Sequence, residues 1–122
     1  MNKLAKNPLQ VDKPWGEFTQ YTHNEQSTVK ILTVNPGEKL SLQSHNKREE
    51  LWVALDDNVI VEINGNTLTL KKEEQAFIPL GAKHRLSSNI DSANPVRVLE
   101  ISYGEFDEDD IIRYEDNYGR VK

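Results

Sequence analysis

The pattern of apolar and polar residues along the chain predicts short β-strands from one end to the other. Apolar, β-branched and aromatic residues alternate with polar ones, which is the period of a strand with one buried face. No long stretch has the periodicity of a helix. The runs that predict strands are EFTQYT, TVKILTV, KLSLQS, ELWVAL, NVIVEIN, NTLTL, QAFIPL, HRLSS and PVRVLEIS.

Turn-forming residues separate these runs. Asn64-Gly65, within NVIVEINGNTLTL, is the strongest hairpin signal, because a type I′ turn needs a positive φ at both central residues. Strand signals recur about every eight to twelve residues, which is typical of an all-β barrel or sandwich.

The end of the chain has a different pattern. Residues 104–122 are acidic and lack strand alternation. Within them, DEDDIIR predicts a short helical turn with Asp residues near its start. Asp109 and Asp110 are expected either to cap the turn that presents Arg113 or to be solvated.

Length, charge and composition narrow the classes of protein. A chain of 122 residues predicts a single domain, 1–122, with an N-terminal arm at 1–12 and a C-terminal tail at 104–122. The net charge of -5 disfavours a nucleic-acid partner, and the lack of cysteine excludes disulfides and thiolate metal sites. No apolar run approaches a membrane span, and MNKLAKNPLQ lacks the apolar core of a signal peptide. We therefore expect a cytoplasmic protein with no membrane partner.

The stretch SLQSHNKREELW, residues 41–52, concentrates polar residues between two apolar runs. Side chains two positions apart share one face of a strand, so Gln43 and His45 point the same way. If residues 46–49 form the connection to the next strand, Glu50 lies opposite His45. This geometry predicts a set of metal ligands.

His84, at the start of HRLSS, is the best candidate for a fourth ligand. Two imidazoles with two oxygen donors suit a divalent ion, and zinc, manganese, iron, cobalt and nickel all remain open. A lone histidine on a strand is more often a surface or hydrogen-bonded residue than a ligand. His23, in the polar turn YTHNEQ, is interpreted as a surface residue.

The motifs around these residues resemble a known family. QSH followed by NKRE, and later IPLGAKH, resemble the two cupin motifs. The match is closer still to the cupin domain of type II mannose-6-phosphate isomerases, and it rests on KPWGEF at 13–18, VKILTVNPGEKLSLQSHNKREELW at 29–52, IPLGAKHRL at 78–86 and GEFDEDDIIRYEDNYGR at 104–120.

The resemblance implies a fold and an activity. The fold would be a cupin double-stranded β-helix, a jelly-roll-like barrel, with a short helical turn near the C-terminus. A divalent metal held by Gln43, His45, Glu50 and His84 would support interconversion of mannose 6-phosphate and fructose 6-phosphate. That domain usually forms the C-terminal part of a bifunctional enzyme; the glycine-rich nucleotidyltransferase portion is absent from this sequence, so we expect a free-standing isomerase.

The resemblance also suggests roles for further residues. Arg113 matches the arginine of the family's EDDI-R motif and is predicted to be catalytic or substrate-binding, while Lys30 matches a family lysine and is a candidate base. Trp52 shares a strand face with Glu50 and is expected to line the cavity beside the metal. The candidates for the phosphate are Arg85, Lys39 and Arg48, since cations suit phosphate. A homodimer is expected, because small barrels commonly cover strand edges by pairing.

Departures from the family keep two alternatives open. The family usually has His at Leu51, Gly at Asp57 and Asn at Ser88, and a glycine is missing from KKEEQAFIP. These changes favour a non-catalytic cupin that binds metal and sugar. A cupin nucleotide-sugar epimerase, which would use a histidine base without a metal, is the other alternative.

Overall fold

The computed structural model describes residues 8–120, and in it the chain forms an all-β protein without any helix in that range. The strands are β1 (Leu9–Lys13), β2 (Gly16–Gln20), β3 (Ser27–Val34), β4 (Leu42–Ser44), β5 (Arg48–Ala54), β6 (Val59–Ile63), β7 (Asn66–Leu70), β8 (Gln75–Ile78), β9 (His84–Ser88), β10 (Val96–Gly104) and β11 (Ile112–Glu115). Within the described residues, no helix exists that is long and apolar enough to cross a membrane.

Two antiparallel sheets face each other. One has the strand order β3-β10-β5-β8 and the other the order β11-β4-β9-β6-β7, while β1 and β2 form a separate hairpin. Neighbouring strands are distant in sequence, as in the pairing of β10 with β3 and of β11 with β4. These crossovers join the two sheets into the jelly-roll arrangement that the resemblance implied.

The core lies between the sheets and follows the strand alternation. Trp52 and Val98 point inward from the first sheet, and Val61 and Leu86 point inward from the second, all at most 1% exposed. Their odd-numbered neighbours on β5 and β10 point to the other face, where a second apolar cluster forms. That cluster contains Leu51, Val53, Ile101 and Tyr103, with Tyr21, Phe77 and Leu99 packed against it.

The predicted Asn64-Gly65 turn is confirmed. Both residues have positive φ, 48° and 85°, and they join β6 to β7 with Ile63 paired to Asn66. This is the two-residue hairpin connection that an Asn-Gly pair favours.

The predicted helical turn near the C-terminus is wrong. Asp107 starts a single hydrogen-bonded turn in which its carbonyl accepts from the Asp110 N–H at 3.0 Å and its carboxylate accepts from the Asp109 N–H at 3.0 Å. The chain then enters β11, whose pairing with β4 draws it into extended conformation. Strand β1 begins within the predicted N-terminal arm 1–12; residues 1–7 and 121–122 lie outside the described residues.

Candidate metal centre

The structure brings three of the four predicted ligands together. His45 directly follows β4, Glu50 lies in β5, and His84 opens β9. Their side chains are 4%, 1% and 1% exposed, and one potential ligand atom from each lies within 4.8 Å of the others. Gln43 is half-buried on β4 and pairs across the sheet with His84, so the fourth candidate lies beside the same cluster.

The two histidine rings are oriented by backbone carbonyls. His45 Nδ1 lies 2.7 Å from the Asp110 carbonyl oxygen, and His84 Nδ1 lies 2.9 Å from that of Ala82. A carbonyl oxygen only accepts, so each Nδ1 carries the proton and donates. This leaves Nε2 of each ring on the side of the cluster, which is the arrangement that metal-binding histidines use, and His45 Nε2 lies 3.2 Å from Arg48 Nη2.

Glu50 has one satisfied oxygen and one that is not. Oε2 accepts from Arg48 Nε at 3.2 Å and from Ser102 Oγ at 3.3 Å. Oε1 is buried and makes no hydrogen bond to any residue between 8 and 120, although His84 Nε2 lies only 3.3 Å away. Two lone pairs at that separation repel each other unless a proton or a metal cation lies at the cluster. The residues therefore fit a divalent ion.

Electrostatics favour the metal-binding forms of Glu50 and His45. Burial would raise the pKa of Glu50, but His84, His45 and Arg48 outweigh it and hold that pKa at about 2. Burial also lowers the pKa of His45, which keeps the ring neutral. An ionised carboxylate and neutral imidazole are the states in which these groups bind metals.

A cavity of about 470 Å³ opens beside this cluster. Its polar lining includes Lys30, Gln43, His45, Glu50, Glu100 and Arg113. A larger groove, of about 760 Å³, lies along the hairpin β1–β2, but none of the candidate ligands lines it. The cavity of about 470 Å³ is therefore the one in which a substrate would reach the candidate ligands.

Residues 104–111, here called the strap, close one side of the cavity. Gly104 has φ 106°, and a Cβ at that position would lie 2.9 Å from the Lys47 carbonyl oxygen. Only glycine allows the strap to leave β10 so close to that backbone. Further along, the ring of Phe106 lies between Lys30 Nζ at 3.9 Å and Arg48 Cζ at 4.2 Å.

The strap is hydrogen-bonded to residues 45–48, here called the ligand loop. The Asp110 carboxylate accepts from the backbone N–H of Asn46 at 3.0 Å and of Lys47 at 2.8 Å. Arg48 Nη1 donates to the Asp107 carbonyl oxygen at 3.2 Å. Asp110 therefore caps the ligand loop, and its own carbonyl orients His45.

The predicted substrate residues divide into two groups. Arg113, half-buried, lines the cavity with its Nε buried and without a hydrogen-bond partner in the described part of the chain. Lys30 is exposed at the cavity wall. Arg85, by contrast, donates to the Leu40 carbonyl and to Glu115, outside the cavity lining.

The other predicted site residues are Lys39, Arg48 and Trp52, and only Arg48 lines the cavity. Lys39 lies in another groove, beside Tyr118. Arg48 lines the cavity, but its guanidinium contacts Glu50, His45 and the strap. Trp52 lies behind the cluster, with its ring centroid 5.5 Å from that of His84 in an edge-on arrangement.

Glu100 lines the cavity and was not among the predicted site residues. It is 7% exposed, and burial, followed by the charge of Glu50, raises its pKa to about 7. Its signal in the sequence is the alternation of PVRVLEIS, in which Glu100 occupies the same face as Val96 and Val98. A carboxylate on a core-facing position indicates a functional role.

Comparison with known proteins agrees with this architecture. Residues 2–116 match a family model described as "Mannose-6-phosphate isomerase C-terminal". The chain is 41% identical over 113 residues to the mannose-1-phosphate guanylyltransferase ManC of Salmonella typhimurium, covering 92% of this chain and 23% of that protein. It thus spans about a quarter of the length of this curated relative.

Solved structures show the same fold at low identity. The capsular polysaccharide assembling protein CapF of Staphylococcus aureus superposes with a TM-score of 0.66 and 16% identity, covering 89% of this chain and 34% of that one. A cupin protein from Bacteroides fragilis superposes with a TM-score of 0.58 and 21% identity, covering 69% of this chain and 74% of that one. The cupin fold is therefore confirmed.

Proposed function

We propose that this chain, which belongs to the mannose-6-phosphate isomerase C-terminal family, interconverts mannose 6-phosphate and fructose 6-phosphate with the help of a divalent metal. The observation that carries the proposal is the buried cluster of His45, Glu50 and His84 beside a cavity. The unpaired Oε1 of Glu50 supports the metal. Guanylyl transfer, named for the longer ManC relative, is not proposed for this domain.

Gln43, His45, Glu50 and His84 would hold the ion. Two nitrogen and two oxygen donors fit zinc, manganese, iron, cobalt or nickel. When bound, the ion supplies Lewis-acid stabilisation of the negative charge that develops on sugar oxygens during aldose–ketose isomerisation. The Nε2 atom of His84 points to this ion site, and that of His45 would exchange its hydrogen bond from Arg48 Nη2 for the ion.

Cationic side chains would bind the phosphate. Arg113 has a buried Nε without a partner in the described residues and faces the same cavity as Lys30. A guanidinium that makes no internal hydrogen bond through Nε retains a donor for a phosphate oxygen, and its planar fork suits that group. Lys30 adds a second positive charge to the cavity lining.

Arg48 would position the ligands instead of contacting the sugar. Its Nε holds Oε2 of Glu50, and its Nη1 ties the ligand loop to the strap. This use of the guanidinium leaves Oε1 of Glu50 as the oxygen available to the metal. Phe106, packed between Arg48 and Lys30, covers that side of the cavity and would exclude water from the reacting sugar.

A coupled assay of mannose 6-phosphate conversion tests the proposal. We would measure metal-loaded wild type, chelator-treated wild type, His45→Ala and the control His23→Ala, because His23 is an exposed histidine far from the cavity lining. Turnover that requires metal and His45 but not His23 supports an isomerase. Folded, metal-loaded wild type that converts no mannose 6-phosphate refutes it and leaves a metal- and sugar-binding cupin.

Dependence on a metal distinguishes the proposed isomerase from the remaining alternative, a nucleotide-sugar epimerase. A nucleotide-sugar epimerase would act without bound metal, so chelation would not affect its turnover. Testing sugar nucleotides alongside mannose 6-phosphate on the same chelated samples distinguishes the two activities.

A further inference from the structure

Glu100 is a buried carboxylate that the metal site does not use. It lies on β10 at a position facing the cavity, and it is directly opposite Lys30 on β3 and Trp52 on β5. The cavity it lines is the one that contains His45 and Glu50. Burying an ionisable group at 7% exposure is costly, so a functional reason for it is expected.

One carboxylate oxygen of Glu100 accepts a hydrogen bond and the other accepts none from the described residues. Trp52 Nε1 donates to Oε2 at 3.1 Å, and the Trp52 ring packs edge-on against His84. Among the described residues, Oε1 has no hydrogen-bond partner. The indole therefore holds the carboxylate in one orientation with a free lone pair, as a proton acceptor requires.

The other candidate bases are less suitable. Glu50 is committed to Arg48, Ser102 and the proposed metal. Lys30 Nζ stacks on the Phe106 ring at 3.9 Å, a cation–π contact that already occupies the amine. This placement suits Lys30 to the phosphate or to developing negative charge.

We propose that Glu100 carries the proton between C2 and C1 of the sugar, an inference that rests on the isomerase function proposed above. From the open-chain aldose, the carboxylate takes the C2 proton; the C2–H electron pair forms the C1–C2 double bond while the C1=O1 π pair moves onto O1, which is protonated. The carboxylic acid then returns its proton to C1, where the C1=C2 π pair forms the new C–H bond, and the O2–H electron pair forms the C2=O2 bond as O2 loses its proton. One proton has moved from C2 to C1 and one from O2 to O1, without any oxidant.

Burial supports this role, because it raises the pKa of Glu100 to about 7. A carboxylate with that value accepts a proton far more readily than an exposed one and remains partly ionised near neutral pH.

The test compares kcat, KM and metal affinity for Glu100→Gln, Glu100→Asp and the control Glu17→Gln, since Glu17 is exposed on the hairpin and outside the cavity lining. Gln retains an acceptor for Trp52 but is not a base. We expect kcat of Glu100→Gln to fall about 10²- to 10⁴-fold with KM and metal affinity within a few-fold of wild type. Glu100→Asp should recover part of the loss, and Glu17→Gln should match wild type.

A second variant, Trp52→Phe, tests the role of Glu100 through the pH dependence of kcat, which would not shift if Glu100 were only structural. Trp52→Phe removes the hydrogen bond that lowers the pKa of Glu100, so the acidic limb of the kcat profile should move to higher pH. This measurement applies even if Glu100→Gln fails to fold.

The outcomes separate this inference from the proposed function. If wild type turns over and Glu100→Gln retains kcat within about threefold, Glu100 is not the proton carrier and the isomerase stands. An unmoved pH profile in an active Trp52→Phe protein also overturns the inference. If metal-loaded wild type is inactive, both the isomerase and the proton carrier are rejected.

Discussion

Replacing Glu100 by Gln should stabilise the metal-free protein at pH 8 much more than at pH 5. Burial, and then the charge of Glu50, raise the pKa of Glu100 from 4.5 to about 7, while Trp52, Lys30 and Arg48 oppose the shift. A group whose folded pKa is raised stabilises the fold at low pH, and that contribution is lost as the pH rises through about 7. Gln is nearly isosteric and does not ionise.

The magnitude follows from the pKa change. One pKa unit corresponds to about 1.4 kcal/mol, so full ionisation of Glu100 lowers the free energy of unfolding by about 3 kcal/mol. Part of that loss has occurred at pH 5, because the unfolded chain is already ionised there. We therefore expect the stability gain of Glu100→Gln to be about 2 to 3 kcal/mol larger at pH 8 than at pH 5.

Urea unfolding in the presence of a chelator measures this difference. Wild type, Glu100→Gln and the exposed control Glu17→Gln would be unfolded at both pH values, with m-values compared to verify two-state behaviour. His45 titrates with the opposite sign because burial lowers its pKa, but it is present in every variant and cancels in the comparison. A pH-dependent gain below about 0.5 kcal/mol would refute the argument that Glu100 is desolvated and close to another negative charge.

Three other substitutions test separate parts of the structure. Leu51→Ala should lower the free energy of unfolding, measured in urea, by about 2 to 4 kcal/mol without changing metal affinity, because Leu51 packs in the second apolar cluster, away from Glu50; weaker metal binding would contradict that placement. Asp110→Ala should weaken metal binding about 10- to 100-fold in a chelator competition, while Asp109→Ala should not, since the carboxylate of Asp110, and not that of Asp109, accepts from the backbone of the ligand loop; equal effects would show that the Asp110 carboxylate does not support the ligands. Gly65→Ala should cost about 1 kcal/mol in urea because its φ is 85°, and an unchanged stability would show that the turn relaxes.

The strands and the grouping of the candidate ligands were predictable because both follow from local alternation. His45 and Glu50 were placed by the two-residue period of adjoining strands, and the same alternation puts Leu51 on the other face of β5, in the second apolar cluster. The same period applied to β9 places Arg85 on the face opposite to His84. Arg85 therefore bonds to the Leu40 carbonyl and Glu115 and not to groups in the cavity, so its proximity to His84 in sequence alone suggested the phosphate.

The strap could not be predicted because its contacts are not local. DEDDIIR contains Asp residues in a spacing that suits a helical turn, but Asp110 finds its partners in the ligand loop, 63 and 64 residues earlier in the chain. The partners of Asp110 are the backbone amides of Asn46 and Lys47, and these are free to bond to it only because of the way the chain turns between β4 and β5.

Glu100 could not be recognised for another reason. A single carboxylate within a strand pattern does not indicate by itself whether it faces solvent or a cavity.

The bond between His45 and the Asp110 carbonyl spans 65 residues, and it has a consequence for biosynthesis. A chain still being made on the ribosome contains Gln43, His45 and Glu50 long before it contains the strap that orients His45. β10, which carries Glu100 between β3 and β5, also arrives late. Contacts of such sequence separation form slowly in folding. The nascent chain therefore has the candidate ligands without a finished site, and acquisition of the proposed ion would follow the synthesis of β11.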